Sequence, residues 1–356
     1  MGGKMRNFDY KKLAEKNWDN EILLLCSKIH EYKGRQELFI RQKPAQLGRL
    51  IEIARIQSTE ASNRIEGIVT TSTRIKQLVA EKTAPKNRDE KEILGYRDVL
   101  NTIHESHEYI DITPNNILQL HRDLLKHAGF SYGGSFKNVQ NYIKETRPDG
   151  TEIVRFMPLA PYETPGAVEA ICRSFVETAA LEIVDPLILI PAFICDFLCI
   201  HPFNDGNGRM LTLLLLYKCG YEVGKYISIE KQIEKTKDVY YDVLQKIDYG
   251  WHEEENDVTP FIKYNLKMIL ASYIEFEERV GVMDNSGLKS SAYDIVKAYA
   301  DNKLGKFTSA DVLANCPTVG RTSVFNALKK LTEEGYIQKH GERRHTFYVK
   351  TSKSPW

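Results

Sequence analysis

Two runs of this chain, PLILIPAFICDFLCI (186–200) and MLTLLLLYKC (210–219), are apolar on nearly every face. Helices of that kind are stable only where other elements cover them all round, so they belong at the centre of a helical bundle. The first run stops short of the roughly 20 residues a membrane span needs and contains Asp196, so burial inside protein is expected and a membrane is not. Between the two runs sits HPFNDGNGR (201–209), a polar loop that must open at a cleft rather than on a flat outer face.

The loop concentrates the groups that phosphate chemistry needs. Gly206, Asn207 and Gly208 offer backbone amides, and neither glycine has a Cβ to block close approach, which makes an anion cradle. Arg209 suits forked pairing with phosphate oxygens, and Asp205 is a hard oxygen ligand for the Mg2+ that accompanies a nucleotide. His201 is the side-chain type that takes a proton from a hydroxyl near neutral pH, while Phe203 is expected to plug the loop into the core. Taken singly, each has a plain structural reading as a cap, a turn residue or a core residue. A base, an acid, an amide cradle and an arginine within nine residues favour a functional site.

The rest of the chain is read around this centre. Helical periodicity runs from Pro44 to Ala80, a polar break EKTAPKNRDE follows, and a helix then opens near Glu90 with Asn87 and Asp89 as candidate caps. Thr113 and Pro114 start another, with Gly129 past its end. Residues 139–157 hold two β-prone runs about the turn Arg147-Pro148-Asp149-Gly150 and read as a β-hairpin with no sheet to join. Its edge suits either a structural flap or strand addition by an extended target. Thr259-Pro260 opens a helix running to about Val280, followed by the linker-like GVMDNSGLKS. The six cysteines lack metal-site spacing and read as reduced, buried thiols. MGGKMRNFDYKK has no apolar stretch after its basic residues, so no signal peptide is expected there and the expected location is the cytoplasm.

HPFNDGNGR resembles the signature of Fic domains, HPFx[DE]GNGRxxR, over nine contiguous positions, and the order of elements is similar over about 50–275. The resemblance implies an all-α bundle with a β-hairpin flap that docks the target. It implies an activity as well: AMP transfer from Mg-ATP to a Ser, Thr or Tyr hydroxyl of a protein, with release of pyrophosphate. His201 would be the base and Asp205 the metal ligand. Gly206, Asn207, Gly208 and Arg209 would bind phosphates, and Tyr240 and Tyr241 on a later helix would join the nucleotide site. Ser62-Asn63-Arg64-Ile65-Glu66-Gly67 is similar to the family's inhibitory pattern [ST]xxxE[GN], in which the glutamate obstructs the γ-phosphate. Ser62 and Glu66 lie four apart on one helical face, and Gly67 can end that helix. The pattern's last arginine falls on Thr212, so the side chain that usually grips the γ-phosphate and pairs with the glutamate is absent; either Arg209 covers one of these jobs, or the nucleotide is bound more weakly or in another pose.

The chain is nearly neutral at +1, but from Gly287 to Trp356 it carries twelve Lys and Arg against six Asp and Glu. Helices near 290–301, over FTSADVLANC and over Thr322–Glu334, then two strands about Gly341, give the order of a winged helix-turn-helix. Such modules bind DNA or dock proteins, and fold alone leaves both open. For DNA, Lys329, Lys330, Lys339, Arg343, Arg344 and His345 are the phosphate contacts. The expected divisions are an N-terminal helical region (1–110), a Fic core (111–283) and a winged helix (287–356), with a homodimer as a further partner. An autoinhibited adenylyltransferase leads. A hydrolase that removes AMP, and a DNA-binding regulator with a nucleotide-sensing site, stand as alternatives.

Overall fold

The computed structural model describes residues 6–42, 44–146, 150–208, 211–284, 291–303, 305–316, 319–342 and 346–351. Its contacts fall into two units, 1–33 with 54–272 and 34–53 with 273–356. That grouping differs from the three divisions read from sequence, because 34–53 goes with the C-terminal residues and no break falls at 110.

The chain runs through α1 (Asn20–Gln42), α2 (Pro44–Ile65), α3 (Ser72–Val79), α4 (Arg88–Ser106) and α5 (Pro114–Leu125). A hairpin of β1 (Ile143–Thr146) and β2 (Glu152–Phe156) follows. Next come α6 (Thr164–Leu181), α7 (Pro186–Ile200), α8 (Leu211–Lys218), α9 (Val223–Tyr226), α10 (Ile229–Lys235), α11 (Lys237–Asp248) and α12 (Thr259–Asp284). The fold is mainly helical, as the patterning requires.

In the first unit α7 is the central helix, with Leu187, Leu189, Phe193, Phe197, Cys199 and Ile200 buried. Asp185 caps it by accepting from the Leu187 N–H (2.9 Å), and Pro186 occupies the first turn, where its missing N–H costs nothing. The acid inside this apolar helix is satisfied by the N-terminal segment and by Trp251 after α11: the Tyr10 hydroxyl and the Trp251 indole N–H donate to Asp196 at 3.0 and 2.8 Å, and Arg6 lies 3.4 Å away. Asn87 and Thr113 cap α4 and α5 as their positions predict. These two helices approach so closely at Gly95 that a Cβ there would meet the Leu124 carbonyl oxygen at 1.7 Å.

The helical pattern from 44 to 80 is two helices, not one. Gly67, at φ +80°, ends α2 in a Schellman turn, with Ile68 N–H donating to Asn63 O (2.8 Å) and Gly67 N–H to Arg64 O (3.1 Å). The hairpin forms an isolated antiparallel two-stranded sheet, and its turn residues Arg147, Pro148 and Asp149 lie outside the described residues. All six cysteines are free thiols, five of them buried. Among the described residues no helix is long and apolar enough to cross a membrane.

In the second unit, α1 and α12 meet through Phe39 and Phe276 (ring centroids 6.2 Å) and an Arg35–Glu277 ion pair (2.8 Å). Three helices, α13 (Ala292–Asn302), α14 (Ser309–Asn315) and α15 (Arg321–Glu333), precede the antiparallel pair β3 (Ile337–His340) and β4 (Phe347–Lys350). They enclose a core of their own that includes Val296, Phe307, Val312, Val324, Leu328 and Ile337. That order is compatible with a winged helix. Lys329 and Lys330 on α15 lie 3.8 and 3.9 Å from Glu333 and Glu334, so both sit beside acids on the face expected to meet phosphates. Arg343, Arg344 and His345 lie outside the described residues.

Candidate active site

The loop between α7 and α8 opens into a cavity of about 350 Å³. His201, Asp205, Gly206, Asn207, Gly208 and Thr212 line it from the loop and α8, Ser62 and Glu66 from α2 and the turn after it, and Tyr240 and Tyr241 from α11. Every site residue expected from sequence is therefore on one cavity, except Arg209, which lies outside the described residues. Ile143, Lys144 and Arg155 of the hairpin also reach it.

His201 ends α7 in the left-handed region, φ 49° and ψ 62°, an uncommon conformation for a residue with a Cβ. Its Nδ1 lies 3.3 Å from the Leu198 carbonyl oxygen. A carbonyl only accepts, so Nδ1 carries the proton and Nε2 holds the lone pair. Burial pushes the imidazole down to about 4, with Lys137 adding to the effect and the Leu198 bond and Asp205 opposing it. The ring is neutral at physiological pH.

The rest of the loop is braced from within. Asn207 spends its side chain on Phe203, accepting from its N–H and donating to its carbonyl at 2.8 Å each, so only its backbone is left for a ligand. Phe203 is fully buried, as expected, and stacks on His121 with centroids 3.8 Å apart. Gly134 N–H donates to His121 Nδ1 (3.1 Å), which puts the His121 proton on Nε2, the nitrogen that donates to the Asp205 carbonyl oxygen (3.1 Å). Gly206 has φ +80°, which favours glycine, and a Cβ there would meet Leu124 Cδ2 at 2.7 Å, so that side-chain end would have to shift. A Cβ on Gly208 would come within 3.4 Å of Glu66 Oε1. The glutamate thus reaches the loop expected to cradle phosphates.

The turn bearing Glu66 is held by α11 and α10. The Tyr241 hydroxyl donates to Ile65 O (3.1 Å), Lys237 donates to Arg64 O (3.4 Å), and Arg64 pairs with Glu60 (2.6 Å) and Glu234 (3.3 Å). The hairpin is tied to the far end of α11, where Arg155 grips Asp248 at 2.8–2.9 Å. Among the described residues no three His, Cys, Asp or Glu side chains gather as a metal cluster. Asp205 on the cavity wall still fits Mg2+, a hard cation commonly held by one or two carboxylates plus phosphates and water.

Sequence reasoning missed His121, Lys137, Asn141 and the Arg155–Asp248 tie. His121 gave only the signal of a histidine on the apolar face of α5, which is ordinary. Lys137 and Asn141 stand 64 and 60 residues before His201 and carried no local signal.

A central apolar hairpin with this loop, a flap and a carboxylate at the cradle defines a Fic-type domain. Residues 111–218 match the family model described as Fic/DOC family. Among curated relatives, "Protein adenylyltransferase Fic" of Nematostella vectensis is 26% identical over 258 residues, covering 70% of this chain and 54% of that protein. The protein of the same name from Drosophila melanogaster is 29% identical over 270 residues, covering 73% and 47%. The chain spans about half the length of the curated relatives it matches. A Fic family protein from Desulfovibrio desulfuricans G20 shares the fold with a TM-score of 0.60 at 20% identity, over 96% of this chain and 99% of that one. Fic-1 of C. elegans, over its own residues 134–508, does so at 0.56 and 20%, covering 75% and 74%.

Proposed function

We propose that this protein transfers AMP from Mg-ATP to a Ser, Thr or Tyr hydroxyl of a protein docked along the 139–157 hairpin, and that Glu66 holds the site in check. The observation that carries the reading is the neutral His201, with Nε2 unprotonated, on the same cavity wall as Asp205 and the Gly206–Gly208 loop. Relatives named as adenylyltransferases support it.

In this reading the target hydroxyl oxygen attacks the α-phosphorus and its proton passes to His201 Nε2. The bond to the β-phosphate side breaks, and pyrophosphate leaves with the electron pair. The loop amides, with Arg209, would hold the phosphates, and Asp205 would hold Mg2+, which would supply positive charge to offset that of the phosphates. A pKa near 4 makes the free imidazole a weak base. The negative charge of a bound triphosphate raises it toward neutrality, so base strength arrives with the substrate. Tyr240 and Tyr241 border the nucleotide. No observation here supports DNA as a partner of 287–356.

Mass spectrometry of the purified protein incubated with each nucleoside triphosphate and Mg2+ tests the reading. An added AMP on the wild type or on Glu66→Gly is expected. No adduct on either form, alone or with candidate targets, together with AMP removal from a modified protein, would replace transfer by hydrolysis.

A further inference from the structure

Four consecutive carbonyls across the catalytic loop, those of Ile200, His201, Pro202 and Phe203, all accept hydrogen bonds from two residues far away in sequence. Lys137 Nζ donates to Ile200 O (3.0 Å) and the Lys137 backbone N–H to Pro202 O (2.9 Å). Asn141 Nδ2 donates to His201 O and to Phe203 O, both at 3.1 Å. The two donors fix each other: Lys137 Nζ also donates to Asn141 Oδ1 (2.9 Å). An ammonium cannot accept, so the amide oxygen must face the lysine and both amide hydrogens must face the loop.

We infer that Lys137 and Asn141 are positioning residues, which hold His201 in its left-handed backbone conformation and so set where its imidazole stands in the cavity. Placing an ammonium where only 3% of the residue is exposed is costly, and burial lowers its pKa to about 8. The cost has a return at this spot. Ile200 is the last residue of α7, where carbonyls lack helical partners and the helix dipole favours a cation. The peptide units on both sides of His201 are thereby pinned at a non-glycine residue whose positive φ an unsupported backbone would relax.

The clamp also has a direction. Residues 137–141 run directly into β1, whose Ile143 and Lys144 line the cavity. One short segment therefore carries both the strand beside which a target would lie and the donors that orient the base. Attacking oxygen and imidazole are registered to each other through this segment.

The inference rests on the proposed transfer reaction, and its test separates the two. Lys137→Met keeps the length of the side chain and removes the donor; Asn141→Leu removes the two amide donors; Lys137→Arg keeps donors. In Lys137→Met and Asn141→Leu, with fold checked by circular dichroism, kcat for AMP transfer is expected to fall about 100-fold, the loss typical of misplacement by about 1 Å, at unchanged ATP affinity. The 13C-histidine resonance assigned to His201 by its loss in His201→Gln is expected to move in both. Lys137→Arg should restore most of kcat and the wild-type resonance. An unmoved resonance overturns the inference, as does a kcat equal to wild type or a loss of ATP affinity in proportion to kcat. If the wild type transfers no AMP, the functional reading fails alone and the His201 resonance still decides this one. If neither donor-removing variant folds, Lys137→Arg decides: it must keep the wild-type resonance, and a changed one overturns the inference.

Discussion

Glu66 Oε1 stands 3.4 Å from the place a Cβ on Gly208 would occupy. In the proposed reading a carboxylate at that distance would take the room of a terminal phosphate and repel its charge. The turn that presents it is pinned by Tyr241 and Lys237 through the Ile65 and Arg64 carbonyls.

Glu66→Gly is therefore expected to tighten ATP binding and raise automodification by about tenfold or more, tenfold being the equivalent of about 1.4 kcal/mol of relieved repulsion. Calorimetric ATP affinity and AMP incorporation on the same protein check it. Values equal to wild type in both would reduce Glu66 to a solvated turn residue. Lower removal of AMP from a modified target would instead mean that the carboxylate activates water.

His201→Ala is expected to lower transfer by about 10²- to 10⁴-fold while leaving ATP affinity nearly unchanged, because in the proposed reaction the imidazole acts on the attacking hydroxyl. In the free wild-type protein the His201 ring should stay neutral down to about pH 4 and titrate at higher pH with a nucleotide bound. An NMR titration with and without ATP in a Glu66→Gly background follows both states. A ring that titrates near 6.5 with no nucleotide present would contradict the burial argument.

Acid should weaken the fold before it reaches the carboxylates. Burial lowers His104 to about 3 and His121 to about 4, against an ordinary value of 6.5. The folded chain then binds fewer protons than the unfolded one below pH 6.5, so stability is full above that value and declines as pH falls toward 4. At pH 5 the loss is on the order of 2 kcal/mol for each ring. The urea midpoint, followed by fluorescence at about pH 7.5 and about pH 5, should drop accordingly. A flat response would show that these rings do not lose their protons on burial.

Gly95→Ala offers a test in which two effects oppose each other. In a helix interior alanine is favoured over glycine by about 1 kcal/mol, so on propensity alone the change stabilises. Here the new methyl would lie 1.7 Å from the Leu124 carbonyl oxygen, and backbone cannot swing aside as a side chain does. Overpacking wins, with a net loss expected in the range of about 1–3 kcal/mol or beyond, read as a lower thermal midpoint. An unchanged or raised midpoint would mean that α4 and α5 are less tightly packed than this.

What was legible in the sequence was whatever the chain states locally. The two apolar runs name the central helices, Asn87 and Thr113 announce the starts of α4 and α5, and nine contiguous residues display the loop of the candidate site. Gly67 was readable as a helix end. What stayed hidden depends on tertiary proximity. His121 looks like any core histidine until Gly134 and Asp205 meet its two nitrogens, and nothing near Lys137 or Asn141 says that their donors close on carbonyls more than 55 residues later. The grouping of 34–53 with the C-terminal unit is hidden for the same reason, since no composition shift marks it.

Thr212 is where this chain departs from the pattern it otherwise resembles, and it gives the sharpest test of the inhibition proposed for Glu66. It lines the same cavity as Glu66 and Gly208, within the first turn of α8. An arginine there would present a forked cation to whichever anion occupies the cradle: the Glu66 carboxylate in the resting protein, or a terminal phosphate once ATP is bound. In the wild-type background Thr212→Arg should thus strengthen inhibition, because the glutamate gains a charge-assisted partner that a competing phosphate must displace. In the Glu66→Gly background the same change should tighten ATP binding, because the phosphate inherits that partner. The effect of Thr212→Arg on ATP affinity is therefore expected to change sign with residue 66, and a double-mutant cycle measures that directly. An effect of the same sign and size in both backgrounds would show that position 212 and Glu66 do not share an anion site, and the inhibition would then have to be argued from occupied space alone.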